Sequence, residues 1–381
     1  MTTSVSQPST FSRLRESSVF WPLVALVALL VVDLVATPGF FHVRMQDGHL
    51  YGSVVDILKN GAPTLLIALG MTLVIATRGI DLSVGAVVAI AGAVACTWIA
   101  QADTPGSLST ALVAMALAVG LSLVLGVWNG FLVAVVGIQP IIATLVLMTA
   151  GRGIAMLLTG GQIVTVNNDA FGVIGDGYLL FPVAIIVSLT FLVATALVTR
   201  RTALGMLIES VGVNPEASRL AGVRSRTIIW TVYIFAALCA GVAGLMISSN
   251  VKAADANNAG LWIEMDAILA VVIGGTALAG GRYSLGGTLV GALVIQTLTT
   301  TVYTVGIPPE VTLVFKAVVV IAVCLLQSPR VSSKMRRRRR SSAAVAGAGE
   351  APPPDSSADV PYSSPSDPVA ETDDSRRTVQ T

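Results

Sequence analysis

Charge is scarce in this 381-residue chain. Asp, Glu, Lys and Arg make up 12% of it while 54% of its residues are hydrophobic, a balance that a water-exposed globular surface does not have. Histidine is scarcer still: His42 and His49 are the only two, both in one predicted outside segment, with no paired acid and base on which to build a membrane enzyme or receptor. Cys96, Cys239 and Cys324 fall within apolar runs, where they behave as small apolar residues and make neither a disulfide framework nor a metal site. None of the four lysines follows a glycine; Lys59, Lys252, Lys316 and Lys334 come after Leu58, Val251, Phe315 and Ser333. The chain therefore lacks a phosphate loop closing on Gly-Lys-Ser or Gly-Lys-Thr, so if ATP drives this protein another polypeptide hydrolyses it. No cofactor of its own is expected, and no nucleic-acid partner.

What the chain has is apolar runs close to the roughly 20 residues that span a bilayer. They lie near residues 19–36, 62–77, 82–101, 109–134, 139–159, 178–199, 228–249, 265–280, 286–304 and 310–327. The expected fold is an all-α polytopic membrane protein of about ten transmembrane helices, its second and eighth spans short enough to be kinked or re-entrant. Arg13 and Arg15 precede the first run, as in a signal peptide. That run is long, interrupted by Asp33 and without a small-x-small cleavage site, which marks it as a retained span.

The basic residues test this count. With the N-terminus inside, 18 of the 23 Lys and Arg residues fall in inside segments, among them Arg78, Arg200, Arg201, Arg282 and the run Arg336 to Arg340. Such a bias is what ten spans with both termini cytoplasmic require. Three regions follow: a cytoplasmic segment 1–18, a transmembrane domain 19–327, and a tail 328–381 that is basic, then Ser-, Pro- and Ala-rich and expected to be disordered. The five arginines read either as a topology anchor or as a contact for anionic lipid.

The polar crossing Gly79-Ile80-Asp81-Leu82-Ser83-Val84-Gly85 separates the second and third runs. Asp81 and Ser83 suit capping of free backbone N–H groups, and Gly79 and Gly85 suit a turn and close helix packing, as do Gly126 with Gly130 and Gly287 with Gly291. This topology places the crossing at the cytoplasmic surface. In the longest inside loop, Asn214 can cap a helix, Pro215 suits its first position, Glu216 its positive end and Gly222 its left-handed stop. Ala217, Leu220 and Ala221 then share a face, with Glu216 and Arg219 on a more polar side. Such a helix fits a groove of a soluble partner, and an ordinary interfacial loop fits equally.

Ionisable residues within spans are candidates for function because lipid disfavours them. Asp33, Arg152 and Lys316 are the ones counted, with Asp33 and Lys316 as a candidate structural ion pair. Asn129, Gln139, Gln162 and Gln296 suit bonding to sugar hydroxyls, and Trp128 suits stacking on a sugar ring or anchoring at the interface. These, with Arg152, are the substrate-pathway candidates.

With those features in place, the chain resembles the permease subunits of bacterial monosaccharide importers of the ATP-binding-cassette class, the ribose- and xylose-type family. The resemblance rests on residues 70–77 running into Gly79 to Gly85, on Trp128-Asn129-Gly130, and on Arg201-Thr202-Ala203-Leu204-Gly205. Residues 150–153, 161–165 and 254–262 are similar to the galactofuranose-importing branch; the last of these is expected in an outside loop where a binding protein docks or sugar enters. The resemblance implies alternating access without bond chemistry, a separate ATPase, a periplasmic or lipid-anchored sugar-binding protein, and a second permease, identical or homologous. It also implies that Glu216-Ala217-Ser218 with Gly222 is a coupling signature, departing from the usual pattern at Ser218. The competing reading is an ion-coupled secondary sugar transporter, which needs in-membrane carboxylates.

Overall fold

The computed structural model describes residues 19–327 except 38, 47, 48, 307, 309 and 310. The expected segment 1–18 and tail 328–381, with their arginine clusters, lie outside the described residues. Helices account for most of what is described: α1 (Phe20–Ala36), α2 (Ser53–Ala76), α3 (Val84–Gln101), α4 (Leu108–Phe131, continuing as a π-helical turn Leu132–Val136) and α5 (Pro140–Thr159). There follow a four-residue α6 (Asp169–Gly172), α7 (Val183–Arg201), α8 (Leu204–Val213), α9 (Pro215–Leu220), α10 (Ser225–Val251), α11 (Ile263–Ile273), α12 (Leu285–Thr304) and α13 (Thr312–Gln327). Two small antiparallel ribbons complete it: β1 (Arg44–Gln46) with β2 (His49–Tyr51), and β3 (Val164–Thr165) with β4 (Ala253–Ala254), in which Val164 faces Ala254.

Each of the ten predicted windows contains one of these helices, and the protein is a polytopic helical membrane protein. Among the described residues, seven helices are long and apolar enough to cross a bilayer: α2, α3, α4 with its π turn, α5, α7, α10 and α12. The other three are shorter, with 17 residues in α1, 16 in α13 and 11 in α11. α2 begins nine residues before its predicted window and includes Lys59, which lowered the hydropathy there and lies 2.7 Å from Asp176.

α2 is the axis of the bundle. Every residue from Gly61 to Ala76 is buried, and α10, α12, α11 and α7 pack around it. α10 in turn bridges α2, α3 and α4. Small residues set these distances: Gly126 packs on Ala237 and Ile234, Gly130 on Trp230, Gly287 on Gly274 and Gly291 on Ala270, so backbones approach as the Gly-x-x-x-Gly spacing predicts. α4, α5 and α7 instead turn Val, Leu and Ile side chains outward, the surface a hydrocarbon solvent requires. Cys96 and Cys239 are buried and free.

The helix ends follow local chemistry. Ser107 caps α4 by accepting from Thr110 N–H, and Ser284 caps α12 by accepting from Gly287 N–H. Pro140 opens α5, and Gly160, at φ +61, closes it.

Candidate functional site

The crossing between α2 and α3 is built from side-chain bonds. Asp81 Oδ1 accepts from the backbone N–H of Ser83 at 2.9 Å and from its hydroxyl at 2.6 Å, and Asn129 Nδ2 of α4 donates to Ser83 Oγ at 2.7 Å. All three residues are buried. Asp81 thus satisfies a backbone donor ahead of α3, whereas the Ser83 hydroxyl turns back to Asp81 and caps nothing. Gly79 lies against the hydroxyl of Tyr233: a Cβ there would stand 2.5 Å from that oxygen.

This crossing does not stay at the surface. Gly151, the twelfth of the 20 residues of α5, packs against Ala86 and Ile90, so α3 starts about halfway along its neighbour. The expected surface position of Gly85 is therefore corrected: the chain climbs from the end of α2 into the middle of the bundle before it becomes helical. Polar backbone at that depth is tolerated because protein surrounds it.

A second broken element meets it there. After β4 the chain runs inward instead of looping outside: Ala256 is buried among Ala89, Ile90, Ala93 and Ala155, and Gly260, at φ +66, lies against the Gly85 carbonyl and Val88. α11 starts only at Ile263, and the buried carboxylate of Glu264 sits beside Gly85. The predicted outside loop 254–262 is thus a re-entrant segment, and the eighth span is a half-helix that ends at Ile273, not near 280. Arg152, from the middle of α5, fixes the segment by donating from Nη1 to the carbonyls of Ala256 at 3.0 Å and Ala259 at 2.6 Å. Asp255 rounds its turn by accepting from the N–H groups of Asn257 and Asn258.

Of the pathway candidates, only Asn129 and Arg152 reach this interior. Trp128 is exposed on α4, Gln139 is exposed at the N-terminus of α5, Gln162 is exposed ahead of β3, and Gln296 is half-buried in α12 against Gly61. The pairing of Asp33 with Lys316 is also corrected. Asp33 Oδ2 accepts from Thr301 Oγ1 at 3.0 Å, and Lys316 is 2.8 Å from Asp266. Glu264, Asp266 and Tyr233 were missed. Two acids following Gly260 were the available signal, since acids favour the first turn of a helix.

At the opposite end of α10 lies the exposed loop. Asn214 Oδ1 accepts from the N–H groups of Glu216 and Ala217, each at 3.0 Å, and Pro215 takes the first helical position. Past Leu220 the N–H of Gly222 returns to Arg219 O and that of Val223 to Ser218 O, the double closure that a left-handed residue permits, with Gly222 at φ +86. Ser225 Oγ then donates to Pro215 O at 2.8 Å, tying α9 to the first residue of α10. Ala217, Leu220 and Ala221 are all exposed, and Glu216 pairs with Arg219 beside them. The hydrogen bond from Arg219 holds the Glu216 carboxyl below its ordinary range, and the same bond raises the Arg219 guanidinium. A cavity of about 910 Å³ opens beneath α9, lined by Arg224, Arg226 and Ile229 among others.

Residues 53–324 match the family model described as branched-chain amino acid transport system / permease component. The chain is 51% identical over 316 residues to the galactofuranose transporter permease protein of Escherichia coli strain K12, covering 81% of this chain and 91% of that one. It is 40% identical to the fructose import permease protein of Bifidobacterium longum strain NCC 2705, covering 84% and 90%, and 37% identical to the ribose import permease protein of Escherichia coli strain K12, covering 81% and 93%. No solved structure matches the chain.

Proposed function

The chain belongs to the branched-chain amino acid transport system / permease component family, and from that premise we propose that it is the membrane subunit of an ATP-driven importer of a neutral monosaccharide, galactofuranose or a related sugar. The observation that carries the coupling is α9: a short exposed helix, closed at both ends and tied to α10, with Ala217, Leu220 and Ala221 free to enter a groove of a soluble partner. That partner is a separate ATPase, which binds the ATP. The similarity to permeases named for galactofuranose, fructose and ribose supports the sugar class, and with it a sugar-binding protein outside the cell membrane and a second permease, identical or homologous.

Ten crossings with both termini cytoplasmic fit this role, since they put Arg78, Arg200, Arg201, Arg219, Arg224, Arg226 and Arg282 on the ATPase side. Motion of α9 passes directly into α10, whose Tyr233 lies on the Gly79 crossing. The chain itself breaks no bond. Its work is to alternate the exposure of the interior between two sides.

Glu264 favours a second reading, ion-coupled transport, because it is a buried carboxylate inside the membrane. The other acids facing the interior are already engaged: Asp33 by Thr301, Asp81 by Ser83 and Asp266 by Lys316. Uptake of labelled sugar into vesicles carrying the permease, the ATPase and the binding protein separates the readings. ATP-dependent uptake is expected; uptake driven by an ion gradient without ATP would replace this proposal with the second.

A further inference from the structure

Asn257 and Asn258 present a contradiction that the fold must resolve. Both are exposed, yet they sit on the re-entrant segment between Ala256 and Ala259, whose carbonyls are held by Arg152 from the middle of α5. Asn258 donates one amide N–H to Asp255 Oδ2 at 2.7 Å, but hydrocarbon at that depth has nothing to bond its remaining polar groups or the Asn257 amide, so lipid disfavours them. They therefore face water. Leu261 and Trp262 follow in the segment, each 49% exposed; Trp262 is at φ +63, a conformation that L residues avoid, and it borders a cleft with Met265 and Lys316 at the start of α11.

We propose that this face of the re-entrant segment is the sugar-contacting surface within the membrane. The Asn257 and Asn258 amides, each with donors and an acceptor, bond sugar hydroxyls, and the Trp262 indole stacks on the apolar face of the ring. A broken helix at mid-membrane is where transporters place their substrates, because unwound backbone supplies polar groups that an intact helix conceals. Arg152 is a positioning residue here: it bonds two carbonyls of the segment and neither side-chain amide, while Asp255 holds one N–H of Asn258, which leaves the Asn258 carbonyl and the Asn257 amide for the sugar. The sugar is then recognised by neutral groups, with no charge to hold it too tightly for release.

This inference rests on the sugar-import reading, and its test is built to fail separately. In the assembled transporter, with Cys96, Cys239 and Cys324 replaced by Ser, Asn257→Cys and Asn258→Cys are exposed to a small membrane-impermeant thiol reagent. Leu157→Cys, on the outward apolar face of α5 and 84% exposed, is the lipid-facing control. The expected result is labelling at 257 or 258 at least tenfold faster than at 157, slowed during ATP-driven uptake of galactofuranose, ribose or fructose. The Asn257→Ala, Asn258→Ala double variant should lose at least tenfold in uptake rate while remaining assembled with the ATPase. Labelling no faster than the control, or uptake unchanged in the double variant, overturns the inference. If the unsubstituted transporter imports none of the three sugars but labelling is fast, the water-lined face stands and the sugar reading fails.

Discussion

Arg78 reaches out of the α2–α3 crossing to Val213, the last residue of α8, where its Nη2 donates to the carbonyl; its Nε donates at 3.0 Å to Ala279 in the turn between α11 and α12. One guanidinium thus joins the exposed loop to both broken elements. The turn is fixed again by Gly281 N–H donating to Ala76 O at 2.9 Å. Arg78 itself sits at φ +65, a left-handed conformation that costs an L residue roughly 1 kcal/mol. Arg78→Asn accepts that backbone but is too short to reach either carbonyl. We expect it to assemble normally and to lower ATP-driven uptake about tenfold, the equivalent of losing ~1.4 kcal/mol from charge-assisted hydrogen bonds. Arg78→Lys, keeping one donor, should recover part of the rate; equal rates for both variants would count against the guanidinium as the link.

Gly79→Ala places a methyl group against the Tyr233 hydroxyl and the Val74 side chain. The expected loss is ~1–3 kcal/mol, the usual range for overpacking, read as a lower unfolding temperature in detergent. Tyr233→Phe removes the colliding oxygen, so the double variant should be more stable than Gly79→Ala alone. A strictly additive pair would show that the two sites do not touch.

Gly222→Pro cannot adopt φ +86 and deletes the N–H that closes α9 on Arg219. Membrane insertion should be intact and ATP-driven uptake abolished. Asn214→Ala, which strips the other end of two hydrogen bonds, should cost α9 ~1 kcal/mol and reduce uptake less severely. Normal uptake by Gly222→Pro would remove α9 from the coupling path.

The Glu216–Arg219 pair is fully open to solvent, so it contributes to geometry more than to stability. Because the folded-state pKa of Glu216 lies below its ordinary 4.5, whatever the pair contributes is complete above that value and is lost as pH falls through the depressed one. Thermal stability should be flat with pH from 8 to 5 as far as this pair is concerned, and Glu216→Gln should leave it unchanged. A stability loss confined to neutral pH in Glu216→Gln would contradict this.

Lys316→Met leaves Asp266 facing α13 without its partner, at side-chain exposures of 12% and 23% for the pair. We expect a loss of about 3 kcal/mol, with most of it regained in Lys316→Met combined with Asp266→Leu. If the single variant is as stable as the parent, solvent reaches Asp266 freely.

The sequence made the helices and α9 readable because both rest on local signals: long apolar runs, and Asn, Pro and Gly at fixed offsets around Glu216. Its short eighth run allowed a re-entrant element, but the sequence hid that residues 254–262 belong to it, because depth is a tertiary property. Residues 254–262 are small and polar, as an outside loop is, and only the packing of Ala256 and Gly260 on α3 shows where they lie. The same holds for Asp33 and Lys316, which share a hydropathy argument but have different partners. Trp128 and Asn129 are adjacent in sequence, yet Trp128 is exposed and Asn129 buried, so residue type alone separated neither from the pathway.

The brevity of α11 bears on how this protein is made. Eleven residues cover ~16 Å at 1.5 Å each, about half of a hydrocarbon core, and Glu264 and Asp266 in its first turn oppose partitioning into lipid. During synthesis this segment has no means of entering the membrane by itself. It must be drawn in after emerging, as a hairpin with α12 against α2, where Gly274, Gly287 and Gly291 let the backbones close. Defects at these glycines should surface first as chains with a misinserted C-terminal half and reduced abundance, ahead of any loss in transport by the molecules that mature.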